Sequence, residues 1–173
     1  MHIGWAMADV TPDSPVILHG QFHSRISTHV NDPLRATALA LESQDAQAII
    51  LSIDAVSVPA HIISGVRAKL AERLPGLDPE CVTASATHTH TAPCVTEGIY
   101  PPPPAGAMTP TECAQLLIEG MADAAVRAWE SRAPGGVSWG YGQAVVGHNR
   151  RAHYAGGFSK MYGQTAVPDF ECI

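Results

Sequence analysis

The spacing of apolar and polar positions predicts four strands in the first half of the chain. Ile3 to Val10 alternates loosely, as a half-buried strand does. Leu34 to Glu42 also alternates; its composition suits a helix as well, but the Gln44-Asp45 turn that follows favours a strand. Ala46 to Asp54 is almost continuously apolar, which is typical of an interior strand covered on both faces. Val82 to Ala86 is a fourth, shorter strand.

Two segments have the spacing of helices. Pro59 suits the first turn of a helix, apolar residues recur at helical spacing from Ile62 to Leu74, and Pro75-Gly76 ends that run. Thr109-Pro110-Thr111-Glu112 forms a capping box, and a helix is expected from there to about Arg132. A strand, a helix and a strand over about forty residues predict a right-handed crossover with parallel strands. The expected fold class is therefore α/β, with a mixed sheet, at least one such crossover, and helices packed on the sheet.

The rest of the chain has weaker signals. Residues 11–33 and 92–108 are rich in proline and polar residues and are predicted to be loops, the second lying beside the histidines discussed below. Gly136 to Gly147 alternates as a glycine-rich strand, and no element is predicted beyond Asn149. We expect residues 1–173 to be a single domain or the N-terminal part of a larger catalytic domain.

Composition and charge exclude several classes of protein. The 173 residues contain ten basic and sixteen acidic side chains, for a net charge of −6, so we expect no nucleic-acid partner. No apolar run approaches the ~18 residues that a membrane-spanning helix needs. The N-terminus lacks the basic and apolar regions of a signal peptide, and a cytoplasmic location is the expectation.

The most informative residues are two histidines that follow the fourth predicted strand. In an extended backbone His88 and His90 face the same way, roughly 7 Å apart. Two neutral imidazoles in this arrangement can both ligate one transition-metal ion, most often zinc. The alternative is that they are hydrogen-bonded, inert polar residues. Asp54 ends the parallel neighbouring strand, so all three side chains are expected at one edge of the sheet, where α/β folds bind ligands.

Other candidate residues each have two interpretations. Asp54 could orient a histidine from behind, or cap the end of its strand. Arg150 and Arg151 could clamp an anionic group of a substrate through their planar guanidinium groups, or form a solvated pair after a strand. Cys94, four residues beyond His90, could act as a thiolate, although no motif places a general base beside it.

Several segments, in order along nearly the whole chain, resemble the N-terminal catalytic region of the neutral/alkaline non-lysosomal ceramidase family and its bacterial relatives. The strongest match is to the family signature S-A-T-H-T-H-x-x-P. Others are to a D-I-T-P turn, an H-D-P-L segment and a G-x-N-R-R segment. The corresponding stretches here are Ser85 to Pro93, Asp9 to Pro12, Asn31 to Leu34, and Gly147 to Arg151.

The resemblance implies a zinc-dependent hydrolase of an amide (N-acyl) bond, with one Zn²⁺ site and a small-molecule or lipid-like amide substrate. His90 would be a zinc ligand, and His88 would contact the substrate or stabilise the intermediate. The family's first histidine ligand directly precedes its Asp-Pro-Leu, where this chain has Asn31. Either His29, two residues earlier, substitutes as the ligand, or the metal site is changed or lost. The second possibility defines the alternative function: a catalytically silent binding or scaffold module that retains the fold.

Overall fold

A computed structural model describes residues 1–148, 151–157, 159–161 and 168–172. The chain divides into two compact units, Met1–Gly136 and Val137–Ile173. The first unit contains a five-stranded sheet and two long helices, and it carries most of the predicted functional residues.

The sheet of the first unit is mixed, and the predicted fold class is confirmed. Its spatial order is β4-β3-β2-β1-β5; β3 and β4 are parallel, and the other neighbours are antiparallel. The connection between the two parallel strands runs through a helix, as predicted. The strands are β1 (His2–Asp9), β2 (Arg35–Glu42), β3 (Gln47–Ile53), β4 (Val82–Ala86) and β5 (Ala133–Pro134).

Two helices pack on the same face of this sheet. Helix α1 (Ala60–Arg73) is the crossover, and Pro59 lies just before it instead of in its first turn. Helix α2 (Pro110–Glu130) begins with the predicted capping box, in which the Thr109 side chain accepts from the backbone of Glu112 and the Glu112 carboxylate accepts from the Thr109 backbone.

Small residues in the sheet set how closely the second helix approaches. The inward side chains of β2 are Ala36, Ala38 and Ala40, all completely buried. At Gly4 of β1 an added Cβ would overlap the backbone carbonyl of Ala128 in α2. The helix therefore lies directly on the strand backbones. The larger core side chains come from β3 and from the two helices.

Within the first unit, no helix packs on the opposite face of the sheet. Trp5 and Ile50 are 72% and 47% exposed, and they flank Leu39 in one cross-strand row. The prediction that the Ala46 to Asp54 strand is covered on both faces is therefore wrong for these residues. A continuous apolar run has no period, so it cannot distinguish one covered face from two.

The second unit contains two pairs of short antiparallel strands, β6 with β9 and β7 with β8. The prediction of no element beyond Asn149 is wrong, since β7, β8 and β9 lie there. Two of these strands have only three residues, which is too short to show alternation. The glycine-rich strand predicted from Gly136 begins only at Gln143. The bounds are β6 (Gln143–His148), β7 (Arg151–His153), β8 (Ser159–Met161) and β9 (Pro168–Cys172). Among the described residues of both units, no helix is long and apolar enough to cross a membrane.

Candidate functional site

Asp54 joins the ends of three strands at the edge where β3 and β4 finish. One carboxylate oxygen accepts from the backbone N–H of Arg35 at 2.9 Å, and the other accepts from the Thr87 hydroxyl at 3.1 Å. The Thr87 N–H donates to the Ile53 carbonyl at 3.0 Å, which extends the parallel pairing by one residue. These contacts favour the strand-end role of Asp54: its hydrogen bonds fix the residue before His88 and not a histidine ring.

His88 follows this anchor in a left-handed conformation, with φ at +63°. It is the one non-glycine residue with positive φ in the described ranges. Such a conformation costs on the order of 1–3 kcal/mol, and residues of this kind cluster at functional sites. The extended backbone assumed from the sequence is therefore wrong at this position, although the predicted proximity of the two rings is found.

The two imidazole rings meet edge to face. Their centroids are 4.8 Å apart with an interplanar angle of 83°, and Nε2 of His90 lies 3.3 Å from Nε2 of His88. His88 is exposed and His90 is half-buried. The two histidines predicted to share one edge of the sheet therefore lie together, with one nitrogen of each ring in close contact.

A backbone carbonyl determines which nitrogen of His88 is available. His88 Nδ1 lies 2.7 Å from the Val56 carbonyl oxygen. A carbonyl can only accept, so Nδ1 carries the proton, and in the neutral ring Nε2 has the free lone pair. Metal-binding histidines are commonly fixed in the same way, by donating the other ring N–H to a carbonyl or carboxylate.

The spacing of the pair fits a shared zinc ion. Zinc–nitrogen bonds of about 2.0–2.1 Å in tetrahedral geometry place two ligating nitrogens about 3.3 Å apart. The same spacing also suits a hydrogen bond from His90 Nε2–H to His88 Nε2. Among the described residues, no three His, Cys, Asp or Glu side chains come close enough to hold a metal ion. The pair therefore offers two ligands and is not a complete site.

The other two predicted metal ligands lie in the wall of a pocket. His29 Nδ1 contacts the Thr28 hydroxyl at 3.0 Å, and the Asn31 amide donates to Asp32 at 2.7 Å. The pocket has a volume of about 650 Å³, and its walls also include Asp54. In this conformation His29 does not form a three-residue metal cluster with the histidine pair. A metal role for His29 or Asn31 stays a prediction.

Two threonines, one between the histidines and one after them, face the same pocket. Thr89 and Thr91 line it, and their hydroxyl oxygens are 2.9 Å apart. A volume of 300–1,000 Å³ is typical of small-molecule sites, so this pocket is large enough for one.

The remaining sequence candidates are placed as follows. Arg150 lies outside the described residues; Arg151 is in β7, where the structure describes the backbone and not the side chain. Their substrate-binding role stays a prediction. Cys94 is buried, its thiol donates to the Thr96 carbonyl at 3.3 Å, and burial raises its pKa. A protonated, buried thiol is a poor nucleophile, which argues against the thiolate interpretation.

Three residues that contact the pair were missed from the sequence. The Val56 carbonyl accepts from His88, Arg25 donates to the His90 carbonyl, and Gly20 lies against the His90 ring. Val56 acts through its backbone, so its side-chain type carries no signal. Gly20 lies between His19 and His23 in the predicted loop 11–33, and a glycine among histidines was the available clue.

Burial lowers the pKa of His19, and the nearby His90 lowers it further.

Comparison with solved structures confirms the resemblance at the level of fold. The neutral ceramidase from Pseudomonas aeruginosa matches with a TM-score of 0.73 and 21% identity, over 86% of this chain and 25% of that one. A structure described as ceramidase complexed with C2 matches with a TM-score of 0.68 and 19% identity, over 86% of this chain and 24% of that one. This chain thus spans about a quarter of their length. No family model matches the sequence, and no curated protein does.

Proposed function

We propose that this chain supplies part of the active site of a zinc-dependent hydrolase of N-acyl amide bonds, of the ceramidase type. The single observation that carries the proposal is the 3.3 Å approach of the His88 and His90 Nε2 atoms. The ceramidase-like fold supports it, because the residues that resemble the family signature form this pair. The substrate we propose is a small-molecule or lipid-like amide.

The roles of the chain's own residues follow from their hydrogen bonds. His90 and His88 would hold the zinc through Nε2, and the Val56 carbonyl keeps His88 in the tautomer that this requires. Asp54 fixes the turn from which both rings project, through Thr87. When bound, zinc polarises an amide carbonyl and lowers the pKa of a water molecule toward neutrality. Zinc normally takes four ligands or three and a water, so further ligands have to come from outside the pair.

The family pattern gives His88 another role, in contact with the substrate. Its exposed ring can serve this purpose, since Nε2 accepts a hydrogen bond when no metal occupies it. Metal affinity separates the two roles. A zinc ligand at position 88 makes His88→Ala as damaging to binding as His90→Ala, whereas a substrate contact leaves zinc affinity intact and lowers turnover.

A second candidate function is a catalytically silent binding or scaffold module. Asn31 stands where the family pattern has its first histidine ligand, and an amide oxygen is a poor zinc ligand. The described residues contain no group of three metal-binding side chains. These two observations favour a relative that keeps the fold and the pocket but has no metal site.

Metal content and an amide panel distinguish the two candidates. The purified full-length protein, grown with zinc and analysed for elements, should contain about one zinc per chain, and His90→Ala should lose it. The same preparation should hydrolyse some member of a panel of N-acyl amides of increasing chain length. No zinc after zinc-replete growth, together with no hydrolysis, would establish the scaffold in place of the enzyme.

A further inference from the structure

The ring of His90 lies under a hairpin made by residues 16–27, called here the covering hairpin. Its two arms are joined by Leu18 N–H donating to the Arg25 carbonyl at 2.8 Å. Its first arm is also bonded to the segment after the histidines: Cys94 N–H donates to the Ile17 carbonyl at 2.8 Å, and His19 N–H to the Ala92 carbonyl at 2.9 Å. The first arm is thus bonded to residues 92–94, and the second arm is bonded to the first.

At the tip, Gly20 provides the space that the His90 ring occupies. Its φ is +97°, a conformation that favours glycine. A Cβ at this position would lie 2.6 Å from Cγ and Nδ1 of the ring and 3.0 Å from Cδ2. An alanine here forces the ring to turn away, since the backbone is fixed on both arms and the imidazole rotates about two side-chain bonds. Turning the ring moves Nε2 from its place beside His88.

Arg25, on the second arm, holds the backbone of the same residue. Its Nη2 donates to the His90 carbonyl at 2.6 Å, while its Nε is buried without a hydrogen-bond partner. No carboxylate among the described residues forms an ion pair with it. Burying an unpartnered N–H is unfavourable, so the side chain is held here by its charge-assisted bond to His90 and its packing.

We propose that Gly20 and Arg25 are positioning residues of the histidine pair: Gly20 fixes the plane of the His90 ring by having no side chain, and Arg25 fixes the His90 backbone. This deepens the proposed function and rests on it where metal binding is concerned. The geometry of the metal-free rings is a separate consequence, which can be measured whether or not the protein binds zinc.

The decisive variant is Gly20→Ala, with Gly98→Ala as its matched control. Gly98 has φ +79°, and no atom lies within 4 Å of its added Cβ, so both substitutions carry the backbone strain and only the first meets a ring. In a Co²⁺ titration of the full-length protein followed by optical absorption, Gly20→Ala should weaken binding about 10- to 100-fold, the range for residues that orient a metal ligand. Gly98→Ala should bind as the wild type does. If the wild type binds Co²⁺ and the two variants bind it with equal affinity, the inference is overturned.

Nuclear magnetic resonance of the histidine ring nitrogens in the metal-free protein separates this inference from the proposed function. Gly20→Ala should shift the His88 and His90 ring signals, and Gly98→Ala should leave them in place. If the wild type binds no Co²⁺ but the signals shift as expected, the zinc proposal fails and the positioning role stands. Ring signals unchanged in Gly20→Ala overturn the positioning role, whatever the metal does.

Arg25 provides a second pair of variants in case Gly20→Ala does not fold. Arg25→Lys keeps a cationic donor, and Arg25→Ala removes it. The ring signals and Co²⁺ affinity should be more perturbed in Arg25→Ala, with partial recovery in Arg25→Lys. A purely structural arginine would lower the thermal midpoint in both variants without moving the ring signals, and that result would contradict the role assigned to it.

Discussion

The two sides of the segment from Thr87 to Thr91 have different surroundings. On one side, the rings of His88 and His90 meet under the covering hairpin. On the other, Thr89 and Thr91 form part of a 650 Å³ pocket, whose walls include His29 and Asn31. The residues that the sequence grouped as one metal site are thus divided between two places, a ring pair and a pocket wall.

This division shows how a two-residue period works outside a regular strand. Alternation still sends neighbouring side chains to opposite sides, even though the left-handed His88 interrupts the extended backbone. The spacing of residues along the chain predicts which side chains lie on the same side of the segment. It does not predict which distant loop packs against that side. The following predictions test whether the pair and the pocket are separate.

The largest expected effect is on metal affinity. His90→Ala removes one of two nitrogens in the pair and should weaken Zn²⁺ binding by more than the ~100-fold that losing an orienting partner can cost. Thr89→Ala, one residue away but on the pocket side, should leave Zn²⁺ affinity unchanged. Calorimetric titration of both variants measures the difference. A comparable loss in Thr89→Ala would mean that the two sides form a single site.

The next effect concerns Asp54, which touches both regions. It binds Thr87 at the base of the histidine segment and also lines the pocket. Asp54→Ala leaves an N–H and a hydroxyl without their acceptor and should lower the free energy of unfolding by about 1–3 kcal/mol. Asp13→Ala is the control. Asp13 also lies in the pocket wall, but among the described residues its carboxylate accepts a hydrogen bond only from the neighbouring Ser14.

Urea denaturation measures both Asp variants, and the slope m should not change. If the Asp54 and Asp13 variants are equally stable, Asp54 is a pocket residue and not the anchor of the histidine segment. A large loss of metal affinity with unchanged stability would instead support the alternative interpretation from the sequence, in which Asp54 orients a histidine.

The sequence predicts the first unit well and the second poorly. The strands and helices up to Glu130 are long enough for their periods to show, and the capping box at Thr109 fixes one boundary. Beyond Asn149, β7 and β8 have three residues each and show no period, and β9 has only five. Which face of β3 is covered also escaped prediction, because Ile50 and Leu51 are equally apolar in sequence but are 47% and 0% exposed.

For the site, the sequence predicts which residues come together at the sheet edge, but it does not predict the hairpin that holds them in place. His88, His90 and Asp54 lie at one sheet edge because two parallel strands end there. Both strands can be predicted from the local pattern of apolar residues. The covering hairpin depends on backbone hydrogen bonds from residues 16–19 to residues 92–94, more than seventy positions away. Every residue except proline has the same backbone donor and acceptor, so the residue types do not show which of these loop residues pair.

A smaller effect is expected for the dependence of stability on pH. His19, on the covering hairpin, has a pKa lowered by burial and then by His90, so its neutral form is favoured in the folded state. The unfolded chain therefore binds more protons below the ordinary pKa of 6.5, and stability should fall as the pH drops from 6.5 through the folded-state pKa. His19→Gln should flatten this part of the stability profile.

His29→Gln, in the exposed pocket wall, is the matched variant for that measurement. Unfolding by urea at a series of pH values between 5 and 8, on the wild type and both variants, gives the comparison. If His29→Gln flattens the plot of stability against pH as much as His19→Gln does, the pH dependence does not come specifically from the residues around the histidine pair.

The smallest expected effect comes from Asn31→His, which restores the residue of the family pattern. If the pocket wall and the histidine pair are separate, a histidine at position 31 adds a ligand in the wrong place, and Zn²⁺ affinity should stay that of the wild type. His29→Ala should be equally silent. An increase of tenfold or more in Asn31→His, about 1.4 kcal/mol, would mean that the loop brings position 31 to the pair when metal binds. The pocket and the pair would then be two parts of one centre, and the asparagine would be the reason that it stays incomplete.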